Sequence, residues 1–401
     1  MRNRHAWFGR TNSFVVAVVL FSTLPLFAFQ SKKTSPAQAA KKSSGSATGA
    51  IRKLDDTLEP IRKKHQLPAL AAAVKQGDRI VAIGAVGVRQ LGAPETVTAD
   101  DKFHLGSISK PMTATMIGIL VDRQKLTWTS TIVAAFPALK EQIRSEYHNV
   151  TLEQLLMHRS GLAEDRSPDP AIVKQLRALS GDPREQRLKM VEIVLQTAPA
   201  AAPGTKNIYS NYGYCVAAAM AETAMEKSWE ELMGELLFEP LGMESAGFGP
   251  PSSSEVIDQP RGHTGEPGSF APAKPTSDNP PCLGPSSRVH CSLEDLAKFG
   301  SLHVRYDKET AKLLTRATFD KLHADSLKQG YSLGWDVKHP EWAQGDLYWH
   351  TGTNGMNFAG LYVAPKRDTV IVIATNAKAK DACQEVLETL VGKTNRSAGK
   401  K

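Results

Sequence analysis

The chain has 401 residues, of which 41% are hydrophobic and 22% are charged. These proportions are typical of a soluble globular protein, and they exclude both a disordered chain and one that crosses a membrane many times. The formal net charge of +8 does not indicate a nucleic-acid partner, because five of the positive charges lie in residues 1–39, which carry no negative charge.

The first 39 residues predict an export segment. Three arginines precede an uncharged, mostly apolar run at residues 13–29, and a small-residue motif at residues 37–39 fits a cleavage site. The same run is long enough to attach the chain to a membrane as an uncleaved anchor. An organelle transit peptide would lack so continuous an apolar block. We therefore expect a periplasmic or extracellular protein, with a signal peptide or anchor at residues 1–39 and a linker at residues 40–50.

Residues 51–125 predict a helix, a β-hairpin and a second helix, in that order. Apolar residues recur at every third or fourth position of residues 51–65, as on one face of a helix. Two apolar runs, residues 69–75 and 79–86, flank a short turn that contains glycine and aspartate, which is typical of a hairpin. An apolar helix is predicted from Ser107 onward.

The rest of the chain predicts helices first and strands afterwards. Helical spacing is found at residues 151–157, 187–197, 211–226 and 229–238, between connections rich in Pro and Gly. Strand patterns follow at residues 347–353, 357–363 and 369–376, and a last helix at residues 381–391. Because the turns between these strands are short, the strands must run antiparallel.

These elements predict an α/β (α+β) fold, with an antiparallel sheet flanked by the N- and C-terminal helices. We assign the sheet domain to residues 51–125 and 285–392. Residues 126–284 would be inserted as a mostly helical subdomain, with a cleft where the two meet. Residues 393–401 predict a basic, solvated tail.

The four cysteines do not indicate a metal site. They have no C-x-x-C spacing and no nearby histidine pattern, which argues against structural zinc. Cys282 and Cys291 either close a small disulfide loop in an oxidising compartment or stay unpaired. No metal and no cofactor is predicted.

The most informative pattern is Ser107-Ile108-Ser109-Lys110 at the start of the apolar helix. A spacing of three residues places the hydroxyl and the amine on one helix face. A serine needs a base within hydrogen-bond reach to act as a nucleophile, and a lysine can be that base if burial lowers its pKa. The spacing alone does not decide, because it recurs at Ser397 and Lys400 in the polar tail.

Several short motifs accompany this pair in a fixed order. They are Gly106–Lys110, Leu155–Leu162, Pro203–Thr205, Tyr209–Asn211, Glu239–Met243 and His350–Gly352. Taken together, these motifs resemble the class C β-lactamase and penicillin-recognising serine hydrolase family. The resemblance covers about residues 50–392 and implies a β-lactamase/transpeptidase-like fold.

The resemblance implies roles for four residues of the motifs Gly106–Lys110 and Tyr209–Asn211. Ser107 would be the nucleophile, and Lys110 and Tyr209 would move protons. Asn211 would hydrogen-bond a substrate amide and hold Lys110. Tyr209 is preferred to Tyr147, which also begins a Tyr-x-Asn motif, because the family's tyrosine follows a Pro-Gly-Thr turn.

The motif His350–Gly352 is preferred to the similar His263-Thr264-Gly265 because it ends a predicted strand. Gly352 would let the substrate approach the strand closely, and Thr351 would contact a polar group of the substrate. The backbone N–H of Thr353 would complete an oxyanion hole with that of Ser107.

His350 stands where efficient class C β-lactamases usually have lysine. A histidine is mostly neutral at pH 7, so it lacks a permanent positive charge for the β-lactam carboxylate. The histidine is similar to that of the DD-peptidase, D-aminopeptidase and esterase branches. His158 is interpreted as architectural, and Arg288 either binds a substrate carboxylate or is a solvated surface residue.

We therefore expect an exported serine hydrolase that forms an acyl-enzyme on amide or ester carbonyls. Its substrates would be D-amino-acid peptides or related amides and esters, with β-lactams as substrates or inhibitors. The alternatives are a carboxylesterase of the same fold and a non-catalytic scaffold or binding relative. The expected partner is a small-molecule or peptide substrate and not nucleic acid, and residues 13–29 would provide any membrane attachment.

Overall fold

The computed structural model of the protein describes residues 50–163 and 169–398. The predicted export segment, nearly all of the linker and the end of the basic tail lie outside the described residues. The described residues belong to a single compact unit. The division into a sheet domain and an inserted helical subdomain stays a prediction. In the part of the chain that the structure describes, no helix is long and apolar enough to cross a membrane.

The strands of the described residues form one large and two small sheets. Their bounds are β1 (Arg52–Lys53), β2 (Ala69–Gln76), β3 (Arg79–Gly87), β4 (Lys102–His104), β5 (Gly247–Phe248), β6 (His263–Thr264), β7 (Ala271–Pro272), β8 (Val289–Ser292), β9 (Asp336–Lys338), β10 (Leu347–Thr353), β11 (Phe358–Ala364) and β12 (Thr369–Thr375).

The helices lie mostly between the two sets of strands that build the large sheet. They are α1 (Asp55–Lys64), α2 (Ser109–Asp122), α3 (Ile132–Ala135), α4 (Leu152–Leu156), α5 (Pro170–Arg177), α6 (Pro183–Val194), α7 (Asn211–Met225), α8 (Trp229–Met233), α9 (Glu239–Leu241), α10 (Gly284–Ser287), α11 (Leu293–Leu302), α12 (Arg316–His323) and α13 (Lys380–Ala398). A π-helical turn, Gly234–Phe238, joins α8 to α9.

The large sheet has the strand order β1-β3-β2-β12-β11-β10-β9 within the described residues. The predicted hairpin is confirmed as β2 and β3, and the predicted three-strand meander as β10 to β12. The two sets meet where β12 pairs antiparallel with β2. Because all its pairings but that of β1 with β3 are antiparallel, the predicted fold class is confirmed.

Both faces of the sheet are buried, because alternate residues of each central strand point to opposite sides. Ala71 and Ala73 of β2 belong to the core that includes α2 and α7. Their neighbours Leu70 and Ala72 belong to a second core, which includes α1 and α13. The predicted packing of the first and last helices on one face of the sheet is therefore confirmed.

The first predicted helix begins later than its apolar spacing suggested. Residues 52–53 form strand β1, which pairs in parallel with Ala82–Ile83 of β3. The backbone N–H of Leu54 donates to Ile83 O at 3.0 Å, and the helix starts only after this bond. Ile51, the first apolar residue of the pattern, is 56% exposed and is not part of the buried face.

A small sheet that the sequence pattern did not reveal leads into the predicted nucleophile. Its strand order is β4-β8-β5, with β8 in the middle. After β4, Leu105 N donates to Val289 O at 2.9 Å, and the chain then makes the single 3-10 turn Gly106–Ile108 before α2. The α-helix therefore starts at Ser109 and not at Ser107.

The cysteines, all of which lie in the described residues, are buried free thiols. Of the two alternatives for Cys282 and Cys291, the structure has the unpaired one. Burial raises the pKa of the Cys282 thiol to about 11. A buried thiol with a raised pKa behaves as a small hydrophobic residue.

Candidate active site

Ser107 and Lys110 lie next to each other because α2 continues directly from the 3-10 turn. Lys110 is fully buried, and its Nζ donates to Ser107 Oγ at 3.2 Å. Nζ also donates to the side-chain Oδ1 of Asn211 and, at 3.0 Å, to the backbone carbonyl of Ser286. These three acceptors, which come from three segments of the chain, hold the amine against the serine hydroxyl.

Tyr209 contacts the same hydroxyl from a different direction. Its phenol OH donates to Ser107 Oγ at 2.8 Å, and Lys110 Nζ lies 4.6 Å from the centre of its ring. Tyr209 lies two residues before Asn211, the first residue of α7, so the start of one helix positions both side chains. A serine oxygen between two groups that exchange protons is the arrangement that nucleophilic catalysis requires.

Strand β10 packs with its backbone directly on the turn that carries Ser107. A Cβ atom at Gly352 would lie 2.0 Å from Leu105 O and 2.4 Å from Ser107 N, so only glycine fits there. Gly106, at a φ of +52°, makes the reciprocal approach, since a Cβ there would lie 2.3 Å from Thr353 N. The segments that carry the two amides of the predicted oxyanion hole are therefore in direct contact.

His350 is buried under the site, whereas Thr351 and Thr353 are half-buried. The Nδ1 atom of His350 lies 2.7 Å from Thr351 O, and the Nε2 atom of His350 has no hydrogen-bond partner among the described residues. Burial, and next the charge of Lys110, lower the pKa of His350 to about 3. The imidazole is therefore neutral at pH 7, and it places no positive charge in the site.

A cavity of about 180 Å³ adjoins the site on the far side of Asn211. It is lined by Val173, Leu176, Arg177, Asn211, Tyr212, Asn279, Pro280 and Leu283. The lining is mostly apolar, with amide groups and one arginine. A larger cavity of about 300 Å³ shares none of the predicted site residues. Among the described residues, no group of three or more His, Cys, Asp or Glu is arranged to hold a metal ion.

The sequence and the fold match a known protein family. The family model described as Beta-lactamase matches residues 54–395, which is most of the chain. The chain belongs to the beta-lactamase family. The resemblance found in the sequence motifs is thereby confirmed, and this family consists of serine hydrolases that include penicillin-binding proteins.

Among its relatives in the beta-lactamase family is penicillin-binding protein 4 of Amycolatopsis lactamdurans. The two are 25% identical over 354 residues, which cover 84% of this chain and 89% of the relative. The octameric penicillin-binding protein homologue from Pyrococcus abyssi has the same fold, with a TM-score of 0.70 at 19% identity over 85% of this chain and 77% of the other. A D-stereospecific amidohydrolase from Streptomyces sp. gives 0.66 at 20% identity, over 83% and 96% of the two chains.

In this member of the beta-lactamase family, the alternative motif residues take no part in the site. Tyr147 is fully buried in the core. His263 is held by two other contacts, with Nδ1 2.9 Å from Asn376 O and Nε2 accepting from Leu91 N at 3.0 Å. The side chain of Ser397, in the second Ser-x-x-Lys motif, lies outside the described residues.

The beta-lactamase fold brings in two groups that sequence reasoning did not place in the site. The first is the Ser286 carbonyl, which no side-chain motif could reveal. The second is His158, whose Nδ1 accepts from Ser210 N at 3.1 Å and whose ring centre lies 4.5 Å from that of Tyr209. Burial lowers the pKa of His158 well below its usual value. Its neutral ring therefore accepts the backbone N–H of Ser210, the residue that follows Tyr209.

Arg288 fits neither of its two predicted roles. Its Nε donates to Asp278 Oδ2 at 3.0 Å, and its side chain is 17% exposed. It is therefore a mostly buried partner of an acidic residue, and neither a solvated side chain nor a free cation for a substrate carboxylate.

Proposed function

We propose that the protein is a hydrolase that forms a covalent acyl-enzyme on Ser107. One observation carries this proposal: Ser107 Oγ lies within hydrogen-bond distance of both Lys110 Nζ, at 3.2 Å, and Tyr209 OH, at 2.8 Å. The sequence motifs also indicate Ser107 as the nucleophile.

The reaction would proceed in two halves. Ser107 Oγ bonds to the substrate carbonyl carbon while its proton passes to the Lys110–Tyr209 pair. The N–H groups of Ser107 and Thr353 stabilise the oxyanion, and the pair returns the proton to the leaving group as the carbonyl reforms. Water then attacks the ester carbonyl, gives its proton to the same pair, and releases the acid and the free Ser107 hydroxyl.

For the substrate we propose D-amino-acid peptides, or the corresponding amides and esters. The fold shared with a D-stereospecific amidohydrolase supports this class. The neutral His350 also supports it, because this position, where efficient class C β-lactamases usually have lysine, offers no permanent charge for a β-lactam carboxylate. The apolar residues that line the cavity beside Asn211 favour acyl donors with an apolar side chain. β-Lactams would then be slow substrates or inhibitors.

Export is part of the same proposal. The arginines and the apolar run of residues 1–29 support it. Protein recovered from outside the cytoplasm should begin near residue 40 if the segment is cleaved, or retain residues 1–39 in the membrane fraction if it is an anchor. A chain found only in the cytoplasm contradicts the proposal.

Intact-mass analysis after incubation with a penicillin tests the nucleophile. The parent protein should gain the mass of the drug, or consume the drug by turnover, whereas Ser107→Ala should do neither. Ser301→Ala is the matched control, because the Ser301 hydroxyl only donates to Ala297 O within α11. It should behave as the parent.

D-Aminoacyl amides and nitrophenyl esters complete the test. Turnover of esters alone would favour the carboxylesterase alternative. A folded parent that reacts with none of the three classes would favour the scaffold alternative, and a reactive Ser107→Ala would reject the mechanism.

A further inference from the structure

One buried carboxylate connects three segments that build the site. Asp278 lies between the Pro-rich residues 271–277 and α10, and its side chain is 2% exposed. It is 3.1 Å from His104 Nε2 and accepts hydrogen bonds at 3.0 Å from Arg288 Nε and from Asn354 Nδ2. None of these contacts involves Ser107, Lys110 or Tyr209.

Besides the backbone N–H of Asn279, which donates to Asp278 Oδ1 at 2.8 Å, the three side-chain partners of Asp278 each adjoin a group of the candidate site. His104 Nδ1 accepts from Gly106 N at 3.2 Å, and the next amide along the chain is that of Ser107. Asn354 directly follows Thr353 in the chain. Arg288 lies two residues after Ser286, whose carbonyl accepts from Lys110.

The hydrogen bonds also show which atom donates in each contact of Asp278. Because His104 Nδ1 accepts the Gly106 N–H, the ring proton lies on Nε2 and points to Asp278. Burial alone would raise the pKa of Asp278, but its contacts with His104 and Arg288 hold that pKa well below its usual range. Asp278 is therefore an acceptor for all three donors.

We propose that Asp278 is a positioning residue that sets the oxyanion hole, by holding the segment of Ser107 through His104 and the segment of Thr353 through Asn354. This inference rests on the proposed function. Oxyanion donors act only when they are preorganised within a few tenths of an ångström, so a tie between their two segments has a direct catalytic consequence. Gly106 has a left-handed backbone conformation, and a glycine backbone has more conformational freedom than that of any other residue. The tie to Asp278 through His104 restricts that freedom beside Ser107.

Asp278→Asn tests the proposal with little change of shape. The amide presents donors where an acceptor is needed, so at least one of the three contacts is lost. We expect kcat for acylation to fall about 10- to 100-fold, below the 10²- to 10³-fold that follows complete loss of an oxyanion donor. KM should change little. Affinity for an arylboronic acid, whose Ser107 adduct places an oxygen in the hole, should fall in parallel with kcat.

Asp295→Asn is the matched control. Asp295 is also a buried carboxylate, with a side chain 5% exposed, and it accepts from Ser245 N at 2.7 Å and from Lys298 Nζ at 2.7 Å. Those partners do not adjoin the site. This variant should lose stability without changing kcat or boronate affinity.

His104→Phe is a second variant, in case Asp278→Asn does not fold. It keeps a ring of similar shape but removes both hydrogen bonds, and the same fall in kcat at constant KM is expected. Equal kcat in the parent and in a folded Asp278→Asn or His104→Phe would overturn the inference. So would an equal fall of kcat in Asp295→Asn.

Amide hydrogen exchange separates this inference from the proposed function. Exchange at Gly106, Ser107 and Thr353 should be faster in Asp278→Asn than in the parent, whether or not a substrate is known. If the parent is inert with every substrate, the proposed function fails. Faster exchange would then support the tie itself, and unchanged exchange would reject it.

Discussion

At the scale of single residues, two side chains contact the hydroxyl of Ser107, and they lie at very different distances from Ser107 along the chain. Lys110 is three residues away, and helical geometry alone makes that contact expected. Tyr209 is 102 residues away, and its contact exists only because α7 packs on α2. The proposed proton-transfer pair therefore combines one local and one long-range partner.

Removing the phenol hydroxyl of Tyr209 tests its part in proton transfer. We expect Tyr209→Phe to lower kcat by about 10²- to 10⁴-fold, the usual contribution of a general acid or base. The fold should be retained, because the ring and its packing against His158 remain. Steady-state kinetics on a D-aminoacyl amide or ester measures the effect.

Tyr147→Phe is the control for this prediction. Tyr147 begins the alternative Tyr-x-Asn motif but lies fully buried in the core, so its variant should keep the parent's kcat. Full activity of Tyr209→Phe, or an equal loss in both variants, would show that the Tyr209 hydroxyl does not take part.

At the scale of elements, a buried ionic cluster joins α6 and α8 to α7, the helix that begins with Asn211. Arg187 of α6 is fully buried and donates to Glu222 of α7, with Nε at 2.9 Å, and to Glu230 of α8, with Nη2 at 2.5 Å. Burial raises the pKa of Glu222 even with Arg187 beside it. The arginine therefore compensates the negative charge of the buried Glu222 and of the partly exposed Glu230.

Arg187→Met should destabilise the protein strongly. Removing one partner of a buried ion pair typically costs about 3–5 kcal/mol, because the remaining charge is left uncompensated. Urea unfolding measures the free energy of unfolding of both variant and parent.

Arg316→Met is the matched control for the ionic cluster. Arg316 pairs with Asp320 on the surface of α12, where the side chains are 67% and 54% exposed, and such pairs contribute at most about 1 kcal/mol. Similar losses in the two variants would contradict a special role for the buried cluster.

At the scale of the whole molecule, buried neutral histidines make stability depend on pH. Burial lowers the pKa of His290 and of His323 to about 4 and that of His350 to about 3. In the unfolded chain a histidine titrates near 6.5, so between these values the unfolded state binds more protons. The contribution of these histidines to the free energy of unfolding is therefore fully present above about pH 6.5 and is lost as the pH falls towards 4.

We expect the free energy of unfolding to be lower at pH 5 than at pH 7 by at least about 2 kcal/mol, which is the effect of one such histidine. Asp336 opposes this trend, because burial raises its pKa to about 6 and its protonation favours the folded state. Burial also raises the pKa of Glu222, but the three histidines outweigh the two carboxyl groups. Urea unfolding between pH 4.5 and 8 measures the slope.

Histidine variants identify the source of the slope. His323→Gln should flatten it, whereas His339→Gln should not, because the His339 side chain is 72% exposed. A stability maximum near pH 5 in the parent would contradict the argument.

The sequence by itself determined the elements whose patterns are local. Period-two alternation and short turns are enough for β2, β3 and β10 to β12, and helical spacing is enough for α7 and for the Ser107–Lys110 pair. The order of the motifs was also enough to identify the beta-lactamase family. These features depend on neighbours within a few residues, which the amino-acid order states directly.

Only the tertiary structure decided which distant groups meet. It showed that residues 52–53 pair with β3, that the Ser286 carbonyl holds Lys110, and that Arg288 binds Asp278. No pattern in the sequence predicts such contacts, because they depend on how helices and loops pack around the sheet. The hydrogen bond from Lys110 to Ser286 joins residues 176 positions apart and so follows no sequence period. Burial, which sets the charge of His350, is a property of the folded chain alone.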